Sequence, residues 1–134
     1  RLAGRPSPFP LRQSTVEMMT TPQQPGHEAA QLEAANDAES RAGEPRYPAV
    51  PGQNLRGFGW DIDTPFSRPR GLVFPVGSFG QTGFTGVSLW MDPGSDCYVV
   101  VLANVIHQRG GPPIVTLSGD IATAAGRALH LYGS

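Results

Sequence analysis

Four consecutive residues, Gln81-Thr82-Gly83-Phe84, carry the side chains and backbone best suited to chemistry in this sequence. They sit inside Gly80-Gln81-Thr82-Gly83-Phe84-Thr85-Gly86, between a strand-like run ending at Phe79 and another beginning at Val87. Glycines at 80, 83 and 86 have no Cβ, so a ligand can approach the backbone N–H groups closely. Gln81 can donate and accept hydrogen bonds but cannot carry charge or take a proton. Thr82 offers a hydroxyl, or simply a side chain suited to a strand. The Phe84 ring reads as core or cleft wall. Such a set suits close contact between the backbone and a bound ligand.

Other constellations carry less. Val76-Gly77-Ser78-Phe79-Gly80 lacks the first glycine of a Gly-x-Ser-x-Gly elbow, and a strand rather than a helix follows Ser78, so a triad with His107 is rejected. Asp61 and Asp63 alternate on one strand face, where solvated charges are the ordinary explanation. Asp92 and Asp96 flank a turn in which Asp caps backbone N–H groups. His27, His107 and His130 lie in unrelated segments, and no metal or cofactor is implied. The single cysteine, Cys97, excludes a disulfide within the chain and reads as a buried small side chain.

The elements that must position these residues follow from periodicity. Residues 1–23 read as an irregular proline-rich segment and a short helix, with Ser14 and Glu17 forming a capping box and Pro22 ending it. Residues 24–53 read as an insertion whose helix-forming stretch, His27 to Arg41, has Leu32 as its only large apolar residue, so a surface helix or a partly disordered loop is expected. From Leu55 the pattern has period two, placing Phe58, Trp60 and Ile62 on one face of a strand. Val87 to Met91 reads as a strand, and Asp92 to Asp96 as a hairpin turn. Cys97 to Val105, apolar on both faces, reads as a central buried strand. Apolar residues at 114, 117, 121, 124, 128 and 131 form the stripe of a terminal amphipathic helix. The fold class expected for 54–134 is α/β of the α+β type: an antiparallel sheet of three to four strands with the carboxyl-terminal helix packed on it.

Taken together, the Gln81-Thr82-Gly83 motif, the Trp60-Asp61-Ile62-Asp63 strand, the hairpin and the helix resemble the carboxyl-terminal quarter of the serine β-lactamase and penicillin-binding protein superfamily. The likeness covers residues 10–23 and 54–131. The motif is similar to the superfamily's third motif, Lys-Thr-Gly, which in class C β-lactamase-related esterases often reads His-Thr-Gly-Phe-Thr-Gly. Gln81 stands in the basic position, either as a polar substrate contact or as the mark of a decayed site. The resemblance implies that Phe84 supplies one of two oxyanion-hole N–H groups. It also implies an ester, amide or β-lactam substrate in the intact protein, for which a periplasmic or secreted location is plausible.

The remainder of that machinery is missing. All ten basic residues are arginine, so no Ser-x-x-Lys exists, and neither Tyr-x-Asn nor Ser-x-Asn occurs. The chain alone is therefore expected to lack nucleophile and base, and its start at Arg1 fits a piece of a longer protein. A non-catalytic binding or scaffold protein descended from the fold is the rival reading. A net charge of −1 points to no nucleic-acid partner, and no apolar stretch is long enough to span a membrane. An unpaired sheet edge predicts that the isolated chain is marginally stable or prone to aggregate.

Overall fold

A computed structural model describes residues 6–24, 29–42, 48, 52–106 and 113–134. The chain is α+β. Five antiparallel strands form an open sheet in the sequential order β1 (Leu55–Arg56), β2 (Asp61–Asp63), β3 (Phe79–Thr82), β4 (Ser88–Asp92) and β5 (Cys97–Val101). Three helices, α1 (Gln13–Thr20), α2 (Ala29–Ala42) and α3 (Ile114–Ala128), accompany it, with short 3-10 turns at Arg68–Arg70 and Leu131–Gly133. No helix among the described residues is long and apolar enough to cross a membrane.

Strand pleating divides the sheet into two unlike faces. Phe79 pairs with Met91 and Met91 with Tyr98, so these side chains share one face. There Phe79, Ile62, Leu55 and Val76 join Ala35 of α2 in the apolar core, with Leu32, Trp60 and Met91 packed against it. Asn36 fastens the same helix, its Nδ2 donating to the Val76 carbonyl at 2.9 Å and its Oδ1 accepting from the Val76 N–H at 2.5 Å. Thin as its apolar stripe is, α2 therefore reaches the core through Leu32, Ala35 and Asn36 rather than lying loosely on the surface.

Gly80 pairs with both Asp61 and Trp90, which places those residues on the opposite face. Buried polar groups hold this side. Arg70 and Asp63 are both fully buried and joined at 3.2 Å, and Arg70 Nη1 also donates to the Ile62 carbonyl at 3.1 Å. Asp61 accepts from Arg56 at 2.6 Å and from the Thr64 hydroxyl at 3.2 Å. The two aspartates do share a face, but they are buried partners of arginines instead of solvated charges.

Helix α3 packs on the 3-10 turn beside this face through Ser118, Gly119, Ala122, Thr123 and Gly126. A Cβ at Gly119 would stand 2.6 Å from the Arg68 carbonyl oxygen, so only glycine permits the approach. The Thr123 hydroxyl accepts from the Leu72 N–H at 3.0 Å and donates to the Gly119 carbonyl at 2.7 Å. The helix therefore docks by its small-residue side. Leu117 and Ile121, members of the apolar stripe expected to cover the sheet, are exposed instead.

Local expectations fare unevenly. The period-two run from Leu55 is two short strands joined by a tight turn at Gly57–Trp60, with Gly59 at φ +80° and Phe58 exposed. Helix α1 ends at Thr20 as expected, but Arg12 occupies its N-cap with no side-chain cap, and Glu17 accepts from Gln13 at 2.8 Å instead of closing a capping box. The Asp92 turn forms: its carboxylate accepts from the Gly94 N–H at 3.2 Å, the Ser95 N–H at 3.2 Å and the Ser95 hydroxyl at 2.5 Å. Strand β5 is an edge, not a central strand; Tyr98 and Val100 are exposed and Cys97 is half-buried.

Candidate functional site

The motif belongs to a strand and its following turn. Gln81 and Thr82 pair with Leu89 and Ser88 of β4, and the Gly83 N–H donates to the Val87 carbonyl at 2.8 Å to close the turn. Strand β2 pairs with β3 only at Asp61 and Gly80. Beyond that single rung the outer edge of β3 is open along the motif.

Alternation separates the motif's two polar side chains. Gln81 lies on the Phe79 face, where its Nε2 donates to the Gly59 carbonyl at 3.4 Å and its Oε1 accepts from the Thr82 N–H at 3.0 Å. The amide thus bridges the β1–β2 turn to β3 where the ladder has stopped. Thr82 lies on the other face and, with Gly83 and Phe84, lines a cavity of about 170 Å³ that also takes in Ser88, Ile114 and Ser118. Gln81 takes no part in that cavity.

Several residues that line the cavity carry polar groups without a hydrogen bond among the described residues. Among the described residues the hydroxyls of Thr82, Ser88 and Ser118 make no hydrogen bond, although Ser88 and Ser118 are only 7% and 2% exposed. The Phe84 N–H is likewise unpaired among the described residues, while its ring is 93% exposed. The ring is therefore not part of the core. Sequence reasoning missed Ser88 and Ser118. The Ser88 signal was available, since a residue directly across from Thr82 on an antiparallel strand shares its face.

The rejected and unassigned groups are placed as follows. Ser78 is buried, its hydroxyl donating to the Pro75 carbonyl at 2.7 Å and accepting from Trp90 Nε1 at 2.9 Å, which leaves it no room to act as a nucleophile. His27 and His107 lie outside the described residues, and among those described no cluster of His, Cys, Asp or Glu could hold a metal. A larger apolar hollow of about 490 Å³ opens on the Phe79 face, between Phe9, Val16 and Met19 on one side and Phe79, Met91 and Tyr98 on the other. No protein-family model, curated protein or solved structure matches the chain.

Proposed function

We propose that this chain is the carboxyl-terminal part of a serine hydrolase related to class C β-lactamases and their esterase relatives. In the longer polypeptide it would line the cleft that takes an ester, amide or β-lactam. The observation that supports this most is the pairing of an unpartnered Phe84 N–H with the free Thr82 hydroxyl at one small cavity. In acyl transfer, a serine oxygen attacks the substrate carbonyl and the carbonyl oxygen takes on negative charge. The Phe84 N–H can donate to that oxygen, and Thr82 can hold a polar group of the substrate. The nucleophile and the group that takes its proton belong to the polypeptide before Arg1.

The decisive test is the coding sequence upstream of Arg1, followed by acylation of the longer product with a penicillin or fluorophosphonate probe. Ser-x-x-Lys and Tyr-x-Asn are expected upstream. Thr82→Val should lower kcat/KM of the longer product about tenfold, the equivalent of one hydrogen bond of ~1.4 kcal/mol. The 134-residue chain alone should take up no probe. Upstream sequence without those motifs, or acylation of the chain alone, overturns the reading.

One observation favours the rival, a binding protein without chemistry. Gln81 is engaged with Gly59 and Thr82 rather than turned toward the cavity. A lysine could donate to Gly59 but could not accept from the Thr82 N–H.

A further inference from the structure

Helix α3 begins at the small cavity beside the motif. Ile114, Val115 and Ser118, from its first turns, line that space together with Thr82, Phe84 and Ser88. The start of a helix leaves backbone N–H groups without partners inside the helix and carries roughly half a positive charge. Nothing on the chain answers either. Pro113 occupies the N-cap without a side-chain bond, and the first turn has no acidic residue. The N–H groups of Ile114 and Val115 make no hydrogen bond among the described residues. None of the residues lining the cavity is charged.

Two hydroxyls mark the same place independently. Ser88 and Ser118 are more than nine-tenths buried, yet neither hydroxyl has a partner. Ser88 shares the sheet face of Thr82, and Ser118 lies on the side of α3 that docks there. Among the described residues, the sealed side-chain atoms without a partner belong to Gln53, Arg68 and Arg70. Both serine oxygens therefore keep contact with open space, and for residues so deeply buried that space is the cavity they line.

The cavity, about 170 Å³, is smaller than the roughly 300–1,000 Å³ of sites that enclose a whole small molecule, so it suits one functional group. Its unpartnered groups can all donate: the hydroxyls of Thr82, Ser88 and Ser118, and the N–H groups of Phe84, Ile114 and Val115. These outnumber the about four bonds that a carboxylate accepts, and a phosphate group has more oxygens to offer them. We infer that the cavity binds a phosphate group, either inorganic phosphate or the phosphoryl end of an ester, held at the N-terminus of α3 by the Ser88 and Ser118 hydroxyls. With no arginine lining the cavity, the attraction is that of the helix end, so binding is in the millimolar range and weakens with salt. The inference goes beyond the hydrolase reading and does not rest on it, because every donor belongs to the 134-residue chain.

Titration of the isotope-labelled chain with inorganic phosphate at constant ionic strength, followed by amide NMR, tests it. Saturable shifts are expected at the amides of Phe84, Ile114 and Val115, with acetate binding at least about tenfold more weakly. Ser118→Ala removes one donor and should weaken phosphate binding about tenfold. Should that variant fail to fold, Val115→Asp supplies a second arm. It sets a carboxylate in the first turn, where the helix end favours it, and should abolish the saturable shifts. Phenyl phosphate separates the two sources: binding at least as tight as that of phosphate assigns the site to an ester, and weaker binding to the free ion. Shifts that do not saturate, or that fall elsewhere, overturn the inference. So does acetate that binds as tightly as phosphate, and so does either variant, folded, that binds phosphate as well as the parent. Upstream sequence without the hydrolase motifs would leave all of these results unchanged.

Discussion

The two faces of the sheet are held by different physics. On the Phe79 face, Ile62, Leu55, Val76 and Phe79 are buried against Ala35 and Leu32, an arrangement that rewards apolar volume. On the Trp90 face, buried polar groups are paired locally, Arg70 with Asp63, Asp61 with Thr64 and Ser78 with Trp90, while glycines let α3 and the 3-10 turn come close. An apolar face tolerates a change of shape at modest cost. A polar face fails when one partner is lost, because the group left behind stays buried and unsatisfied. The candidate site lies on the second kind of face, and so do its free hydroxyls.

Removing a partner should therefore hurt more than removing volume. Arg70→Met keeps most of the side chain's bulk but takes the Arg70 guanidinium away from the buried Asp63 carboxylate, and should cost about 4 kcal/mol of stability by urea unfolding. Ile62→Ala, its neighbour on the opposite face, should cost about 3 kcal/mol by the same measurement. Equal losses, or a reversed order, would remove the distinction between the faces.

The smallest expected effect sharpens the contrast, since it concerns a polar contact that is half-open to water. The Tyr132 hydroxyl donates to Asp92 Oδ2 at 2.6 Å. Burial, then this bond and the negative charge of Asp92, raise the phenol from 10.0 to about 12. Stability that the bond contributes is complete below pH 10 and is lost as pH rises toward 12. Tyr132→Phe should cost under ~1 kcal/mol at neutral pH, and should remove the latest phase from an absorbance titration of the phenols. A titration without a late phase in the parent chain would disprove the assignment.

Sheet, hairpin and terminal helix were legible because their signals are local. The Asp92 turn satisfies its own N–H groups, and alternation at Ser88–Asp92 needs only a strand with two unlike sides. Tertiary choices were less legible. The apolar run in β5 reads as central because apolarity does not record which neighbour pairs with it, and here no described strand lies beyond it. For α3 the large side chains suggested the docking face, whereas Ser118, Gly119, Ala122 and Gly126 allow a closer approach and take it. Gly57 and Gly59 on either side of Phe58 were the sign of a turn hidden inside a period-two pattern. At the site, Thr82 and Phe84 were legible from the motif. The separation of Gln81 from them follows from the pleat, because adjacent strand residues cannot face one cavity.

The two tryptophans fall on opposite sides of this division. Trp90 is 1% exposed with its indole N–H bound to Ser78, while half-buried Trp60 meets Phe79 edge-on at 5.4 Å. Each face thus contains its own fluorophore in a distinct environment. Emission from Trp90 reports a dry, hydrogen-bonded indole, and emission from Trp60 reports one within reach of solvent quenchers. The loosening of one face can be followed by light without any label, while the other is still intact.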